Sequence, residues 1–265
     1  MSFPALETLS VTWPSEGIMV VTLDRPEVRN ALNTRMGEEL RSLFLPLRFT
    51  PGDLRCIIIT GAGDKAFCAG GDLKQRDGMT DEGWRLQHAI FEEAFYAVMD
   101  CSVPVIAAVN GAAYAGGCEL ALCCDFIYAS ATARFALTEV TIGIMPGGGG
   151  TQNLPRAVGE RRAKELILTG TPFSAEQALS WNMVNTVTEP DDLMPTVIGV
   201  AERVRDNAPV SVRQAKKAIH HGLQVDVRTG LLLEVQAYDR MISTDDRREG
   251  ILAFNEKRRP AFKGR

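Results

Sequence analysis

The chain has 265 residues, 45% of them hydrophobic, which is enough apolar material for one large folded core. Its formal net charge is −4 and it contains no long basic block, which argues against a protein that binds nucleic acid or anionic membranes. The first ten residues, MSFPALETLS, lack the basic and apolar segments of a secretory signal, so no signal peptide is expected.

Short apolar runs rich in β-branched residues predict buried strands in the first half of the chain. The clearest are residues 18–23 (IMVVTL), 56–60 (CIIIT) and 105–109 (VIAAV), and weaker candidates are 126–129 (FIYA) and 134–137 (RFAL). Helical patterns lie between these runs. The alternation of strands and helices predicts an α/β core with parallel strand pairing.

Two helices in the first half have clear sequence signals. Residues 34–45 follow Asn33, a residue type that caps helix starts, and residues 84–99 place apolar side chains on one helix side.

The apolar run 101–124 is long enough to cross a membrane. Pro104 and several glycines nevertheless divide it into a strand, a turn and a helix start, so no membrane span is predicted.

Past about residue 155 the pattern becomes helical. A helix over 160–168 is predicted to end at Gly170, a residue type favoured after helix ends. Residues 174–177 (SAEQ) form a capping-box pattern that opens another short helix.

The chain divides into two predicted parts. Residues 1–190 form the α/β domain, and residues 191–265 form a helical region with breaks at 207–209, Gly222 and Gly250. Helices without a sheet of their own must pack on the core or on another subunit.

The cysteines and histidines favour no metal or disulfide chemistry. None of the six cysteines lies in a CxxC pair and several lie in apolar runs, which predicts reduced, buried thiols in a cytoplasmic protein. Of the three histidines, His220 and His221 are neighbours that cannot share a helix face, so no metal site is expected. The chain also lacks a GxSxG nucleophile motif and a phosphate-binding loop.

One pattern occurs twice. Strand 56–60 leads to residues 68–73 (CAGGDL), and strand 105–109 leads to residues 115–120 (AGGCEL), so small residues precede an acid in the first turn of a helix. A structural interpretation is a repeated strand–turn–helix unit whose acids complement the helix dipole. A functional interpretation is that two glycine-lined helix starts present free N–H groups to one point, as an oxyanion hole does.

Two isolated carboxylates are candidates for chemistry. Glu119 carries the one charge of the run 101–124, and Glu139 precedes an apolar stretch and four glycines at 147–150. Two carboxylates in a partly dry pocket can share acid and base roles. The alternatives are a buried partner or a surface position for Glu119, and a strand end or helix-dipole partner for Glu139.

Four sequence blocks, in this order and spacing, resemble the crotonase superfamily and are most similar to its enoyl-CoA hydratases. The resemblance extends from about residue 20 to the C-terminus. Its blocks are 65–73 (KAFCAGGDL), 103–125 (VPVIAAVNGAAYAGGCELALCCD), 134–156 (RFALTEVTIGIMPGGGGTQNLPR) and 243–264 (STDDRREGILAFNEKRRPAFKG).

The resemblance implies a fold and a ligand. The expected fold is an α/β crotonase-like spiral of β-β-α repeats, followed by a C-terminal helical trimerisation region. The expected substrate is an acyl-CoA or enoyl-CoA thioester, with coenzyme A entering as part of the substrate and no separate cofactor or metal. The expected assembly is a homotrimer or homohexamer, with a role in fatty acid β-oxidation.

The resemblance also implies roles for five residues. The oxyanion-hole amides fall on Gly71 and Gly116, and the catalytic glutamates fall on Glu119 and Glu139. The reaction implied is syn addition of water to a 2,3-enoyl-CoA. Glu119 would take a proton from water, Glu139 would hold that water and protonate C2, and the Gly147 amide would position the water. Coupled carboxylates titrate as a pair, so the resemblance implies the pair before it implies this division of roles.

For coenzyme A, the resemblance implies contacts from one loop and one distant lysine. Lys257 would reach the nucleotide of a neighbouring subunit. Residues 75–84 would line the acyl pocket, and their sequence does not identify the acyl group. The loop residues implied are Ala69, Gly70, Gly71, Asp72, Leu73 and Lys74.

Other functions stay open on sequence alone. Within the same fold these are an acyl-CoA isomerase, a carnitinyl-CoA dehydratase, or a hydratase or lyase for branched or aromatic acyl groups. A few relatives of this superfamily bind RNA, but this chain has Glu38 and Glu39 where an RNA binder would carry lysines. A structural assembly protein with an inactive site would leave both glutamates unexplained.

Overall fold

Two sheets form the centre of the fold in a computed structural model, which describes residues 5–265. Within these residues the strands are β1 Leu9–Ser15, β2 Ile18–Leu23, β3 Cys56–Gly61, β4 Ala66–Cys68, β5 Val105–Val109, β6 Ala112–Tyr114, β7 Phe126–Ser130, β8 Arg134–Ala136, β9 Phe173–Ser174 and β10 Thr186–Thr188. The larger sheet has the order β1-β2-β3-β5-β7-β10, and the smaller sheet has the order β4-β6-β8-β9.

The helices alternate with strands at first and then follow one another without strands. The 3₁₀ turns span Pro26–Val28, Leu45–Arg48, Glu139–Ile142 and Pro190–Asp192. The α-helices of the described residues are α1 Thr34–Phe44, α2 Leu73–Arg76, α3 Asp81–Met99, α4 Gly116–Leu122, α5 Gly150–Val158, α6 Glu160–Thr169, α7 Ala175–Ser180, α8 Leu193–Arg205, α9 Pro209–Gly222, α10 Val227–Ile242 and α11 Asp245–Asn255.

The chain path is a spiral of β-β-α turns, which confirms the predicted fold. β3, β5 and β7 each place one strand in the larger sheet, and the following strands β4, β6 and β8 lie in the smaller sheet. Strands β2, β3, β5 and β7 pair in parallel. Their side chains are nearly all buried, as expected for parallel strands covered on both faces.

The C-terminal helices pack in two ways. Helix α8 covers one face of the larger sheet through Leu193, Val197 and Ala201, which are buried against Ile58 and Ile106. Helices α9 and α10 instead pack mainly on each other. Among the described residues, no helix combines the length and the apolar character needed to cross a membrane.

The structure confirms several predicted helix signals. The Asn33 side chain accepts a hydrogen bond from the Met36 N–H at 2.8 Å at the start of α1. Ser174 and Gln177 form the predicted capping box of α7. Gly170 ends α6 in the left-handed conformation that favours glycine.

Two predicted boundaries were wrong. Helix α3 begins at Asp81 rather than residue 84, because the Thr80 hydroxyl accepts a hydrogen bond from the Gly83 N–H and caps the helix earlier. No break occurs at Gly250, which lies inside α11. The chain turns earlier, where Thr244 caps α11 by accepting from the Arg247 N–H at 3.1 Å.

A close approach between α4 and β4 fixes the region of the candidate site. A Cβ atom at Gly117 would lie 2.1 Å from the Cys68 carbonyl oxygen, far inside van der Waals contact. Glycine therefore allows α4 to rest directly on the strand. The starts of α2 and α4 consequently lie side by side.

Replacing Gly117 by alanine is expected to lower the free energy of unfolding by about 3 kcal/mol or more, because backbone atoms must move apart. Gly199→Ala is the control: this helical glycine has open space around its Cβ position. That variant should be unchanged or up to about 1 kcal/mol more stable. Urea unfolding of both variants measures the difference, and equal stabilities would contradict the close packing.

Candidate active site

Two backbone amides face a common point where α2 and α4 begin. A Cβ atom at Gly116 would lie 3.9 Å from the Gly71 nitrogen, so the two glycines are neighbours in space. Within residues 5–265, neither the Gly71 nor the Gly116 N–H donates a hydrogen bond. Two adjacent free N–H groups are suited to binding an oxygen that gains negative charge.

Backbone strain lies next to this pair. Ala115, which precedes Gly116, has φ 49° and ψ −124°, a conformation that favours glycine. Its N–H donates to the Ala136 carbonyl oxygen of β8 at 2.8 Å. This hydrogen bond holds the start of α4 against the smaller sheet despite the strain.

Glu119 is buried in the first turn of α4 and has backbone partners. Its Oε1 accepts hydrogen bonds from the Gly148 and Gly150 N–H groups, each at 2.8 Å, at the start of α5. Burial raises the pKa of this carboxyl, and the hydrogen bonds from Gly150 and Gly148 partly oppose the rise. Glu119 therefore is not at the surface but has buried partners, which are backbone amides rather than side chains.

Glu139 is buried without any hydrogen-bond partner. Within the described part of the chain, both of its carboxyl oxygens lack a donor. Burial raises the pKa of Glu139 to about 7, and the nearby Glu119 adds to the rise. The two carboxyls therefore differ: Glu119 is held by two amides, whereas Glu139 can gain or lose a proton near neutral pH.

The amides and the carboxyls share one cavity of about 680 Å³. Of the predicted site residues, those that line it are Gly71, Gly116, Glu119, Glu139, Gly147, Ala69 and Leu73. The structure thus brings together the predicted oxyanion, carboxylate and water-positioning residues. Such a set can stabilise an oxyanion and move protons at adjacent atoms.

The other predicted ligand contacts lie outside the cavity wall. Asp72 caps α2 by accepting from the Gln75 N–H and forms an ion pair with Arg25 at 2.9 Å, so its carboxylate has a structural role. Gly70 lies in the loop before α2, and Lys74 lies in α2. Lys257 follows α11 and is exposed. Their predicted contacts with coenzyme A stay predictions.

Helices α2 and α3 supply further cavity residues. Two of them, Arg76 and Trp84, lie in the segment 75–84 that was expected to line the acyl pocket, and the others were not identified from the sequence. Trp84, His88, Phe91 and Phe95 line the cavity together with Arg76. His88 lies close to Gly147, because a Cβ atom at that glycine would be 2.5 Å from the His88 Cε1. Their spacing of three and four residues marks one helix face and is the signal that could have located them.

Metal-ligand geometry is lacking among residues 5–265: no three His, Cys, Asp or Glu side chains are placed to hold one ion. All six cysteines are free thiols, and five of them are buried. Burial raises the pKa of the Cys68 thiol to about 12. None of the cysteines lines the cavity.

The chain is similar to known proteins over nearly its whole length. A family model described as enoyl-CoA hydratase/isomerase matches residues 14–265. The YngF protein of Bacillus subtilis is 42% identical over 258 residues, 97% of this chain and 99% of its own. The short-chain-enoyl-CoA hydratase of Clostridium acetobutylicum is 40% identical over 98% of this chain and 100% of its own. A crystal structure of an enoyl-CoA hydratase from Bacillus anthracis has TM-score 0.95 and 44% identity, covering 98% of this chain and 100% of that one.

The buried Glu139 carboxyl predicts a pH-dependent stability difference. Below pH 4.5, its ordinary pKa, the group is protonated in the folded and unfolded states alike. As the pH rises towards 7, the unfolded chain releases the proton first, so the folded state loses stability. Glu139→Gln removes this penalty and should raise the free energy of unfolding at pH 8 by about 2 kcal/mol relative to wild type.

Urea unfolding of wild type and Glu139→Gln at pH 4.5 and pH 8 measures this difference. The gain should shrink strongly at the lower pH, where most of the penalty is absent. An equal gain at both values would show that glutamine acts through packing instead of charge.

Proposed function

Because the chain belongs to the enoyl-CoA hydratase/isomerase family, we propose that it is an enoyl-CoA hydratase, which adds water reversibly to the 2,3-double bond of an enoyl-CoA thioester. The observation that carries the proposal is one cavity that holds two buried carboxyls beside two free glycine amides. An isomerase needs a single base, whereas addition of water requires a proton to leave the water and another to reach carbon. Two carboxyls therefore favour hydration.

The thioester oxygen would lie between the N–H groups of Gly71 and Gly116. When the water oxygen bonds to C3, the electron pair of the double bond moves to C2 and the thioester oxygen. The two amides stabilise the negative charge that this oxygen gains. Because they are fixed by the starts of α2 and α4, they need no rearrangement during the reaction.

The two carboxyls divide the proton transfers in this proposal. Glu119 takes a proton from the water through the oxygen that its amide partners leave free, and Glu139 delivers a proton to C2. A pKa near 7 suits Glu139 to this role, since the group is partly protonated at neutral pH. The Gly147 amide would hold the water beside both carboxyl groups. The protons are exchanged between the coupled carboxyls to restore the starting state.

Coenzyme A would bind along the loop of residues 69–74, where Ala69 and Leu73 reach the cavity. Lys257 would contact the nucleotide of a neighbouring subunit. No separate cofactor is included in the proposal, since coenzyme A enters as part of the thioester substrate. A cytoplasmic location and a role in fatty acid β-oxidation complete this proposal.

We also propose a homotrimer or homohexamer, assembled through the C-terminal helices. Helices α9, α10 and α11 expose many large apolar side chains, more than a lone soluble surface usually carries. Light scattering of the purified full-length protein tests the assembly, and a single-chain mass would contradict it. The exposed residues of these helices, with Leu223 directly after α9, are Ile219, Leu223, Val227, Leu231, Leu232, Val235, Tyr238, Ile242, Ile251, Leu252 and Phe254.

Loss of each carboxyl should abolish most of the hydration. Glu119→Gln and Glu139→Gln keep the side-chain size but cannot exchange protons, so each should lower kcat for crotonyl-CoA by about 10² to 10⁴-fold. The assay is the loss of the enone absorbance of crotonyl-CoA. Glu38→Gln, on the surface of α1, serves as the control and should keep the wild-type rate.

Three other outcomes would change the proposal. If wild type binds acyl-CoA tightly but leaves crotonyl-CoA unchanged, the oxyanion site stands and the reaction is a different one. If Glu119→Gln keeps an acyl-CoA isomerase activity, a single carboxyl suffices and hydration is not the main reaction. Tight, salt-sensitive RNA binding without turnover would replace the enzymatic proposal.

A further inference from the structure

Arg76, the last residue of α2, is a partly buried cation at the wall of the active-site cavity. Its guanidinium carbon lies 4.3 Å from the centre of the Trp84 ring and 5.7 Å from that of the Phe91 ring. A Cβ atom at Gly71 would lie 3.3 Å from Arg76 Nη1. The guanidinium therefore lies beside the amide proposed to hold the thioester oxygen.

This guanidinium lacks a carboxylate partner in the described part of the chain. Among residues 5–265 no Asp or Glu forms an ion pair with it, whereas Arg25, close to the same loop, pairs with Asp72. Its one hydrogen bond runs from Nε to Gln87 Oε1 at 2.8 Å. Burial lowers the pKa of Arg76, which reflects the cost of holding an unpaired charge there.

Side-chain hydrogen bonds fix the position of Arg76. The buried Gln87 donates from Nε2 to Thr34 Oγ1 and to Gln75 Oε1, each at 2.9 Å. These two bonds orient the Gln87 amide so that its Oε1 faces Arg76 and accepts from Nε. The Trp84 ring supports one flat face of the guanidinium. With Nε occupied, the Nη1–Nη2 edge stays free, and this pair of N–H donors matches the two oxygens of a carboxylate.

The surroundings point to the acyl group as the source of that carboxylate. Arg76 lies on the wall formed with Trp84 and Phe91, and this apolar wall continues along α3 to Phe95 beside the catalytic carboxyls. A second arginine of α3, Arg85, and the His88 imidazole line the same cavity. Apart from the two buried glutamates already described, Glu92 is the one acid among the lining residues. A short acyl chain that ends in a carboxylate would place its charge among these groups.

We propose that Arg76 selects enoyl-CoA substrates whose acyl group carries a second carboxylate, that is, monothioesters of short unsaturated dicarboxylic acids. This inference rests on the proposed hydration, and it names the substrate class for the same cavity. The Nη1 and Nη2 groups of Arg76 each donate a hydrogen bond to one oxygen of the free carboxylate, while the amides of Gly71 and Gly116 hold the thioester oxygen. A neutral chain of the same length leaves the guanidinium without a partner.

The test compares glutaconyl-CoA, which carries the carboxylate, with trans-2-hexenoyl-CoA, a neutral substrate of similar length. For each, kcat/KM is measured from the loss of enone absorbance. Wild type should favour glutaconyl-CoA. In Arg76→Met the ratio of the two kcat/KM values should fall by about 10- to 100-fold, as expected for loss of a charged hydrogen-bonded pair. Arg76→Lys should recover part of the ratio, since it restores charge without the paired donors.

Arg162→Met is the matched control. The Arg162 guanidinium also lies 4.3 Å from a tryptophan ring, that of Trp181, but it is outside the cavity. Its loss removes the same kind of stacking and should leave the ratio within about twofold of wild type. Circular dichroism verifies the folding of all variants. If Arg76→Met does not fold, the test is whether the ratio of the two kcat/KM values falls in Arg76→Lys relative to wild type.

The outcomes separate this inference from the proposed function. If hexenoyl-CoA is hydrated and wild type shows no preference for glutaconyl-CoA, the inference fails while hydration stands. Equal losses on both substrates in Arg76→Met also overturn it, because Arg76 would then serve the shared thioester or coenzyme A. If neither substrate is hydrated, calorimetric binding of glutaryl-CoA and hexanoyl-CoA tests the carboxylate site alone. Tighter glutaryl-CoA binding that is lost in Arg76→Met supports it, and equal binding overturns it.

Discussion

The contact between helix α4 and strand β4 is the constraint on which the site depends. Because residue 117 has no side chain, the helix rests on the Cys68 carbonyl, and this places the amide of Gly116 beside that of Gly71. The same helix carries Glu119 one turn later. One backbone approach therefore sets the positions of the proposed oxyanion site and of one proposed catalytic carboxyl together.

The glycine run at 147–150 extends this constraint to the second half of the site. Side chains there would collide with the groups that they surround: a Cβ atom at Gly148 would lie 2.3 Å from Phe95, and one at Gly150 would lie 2.9 Å from Glu119 Oε1. Bare backbone can donate to Glu119 at this distance, which holds the carboxylate in place. Glu139 receives no such support, and burial raises its pKa to about 7.

Local sequence was sufficient for the features that depend on neighbouring residues. The strands IMVVTL and VIAAV, the Asn33 and Ser174 caps and the two glycine-lined helix starts were all predictable. The family resemblance added the functional reading of Glu119 and Glu139. Of the three-residue strands of the smaller sheet, β8 was predicted, but β4 and β6 were missed, because so short a run shows no period and is defined by its partners.

Features that depend on distant packing could not be predicted. On sequence alone Glu39 was only an acid that argues against RNA binding, yet it is buried and accepts hydrogen bonds from the Glu7 and Thr8 amides. Burial acts to raise its pKa, but hydrogen bonds, first that from the Thr8 hydroxyl, bring it below the ordinary value. His88 likewise could be placed in the cavity only once α3 was packed against it, because nothing in its immediate sequence neighbours indicates that position. Arg76 lies in the segment 75–84 that was expected to line the acyl pocket, but its contacts with Trp84 and Gln87 depend on the packing of α3.

In the proposed reaction two coupled carboxyls, one of them unpaired with a pKa of about 7, move the protons. The most direct test is the pH dependence of kcat/KM for crotonyl-CoA between pH 5 and pH 9. If the two carboxyls act as proposed, the profile is bell-shaped. The value of kcat/KM rises with pH as Glu119 ionises, and it falls above about pH 7 as Glu139 loses the proton that it delivers. A rate that stays constant from pH 6 to pH 9 would contradict it.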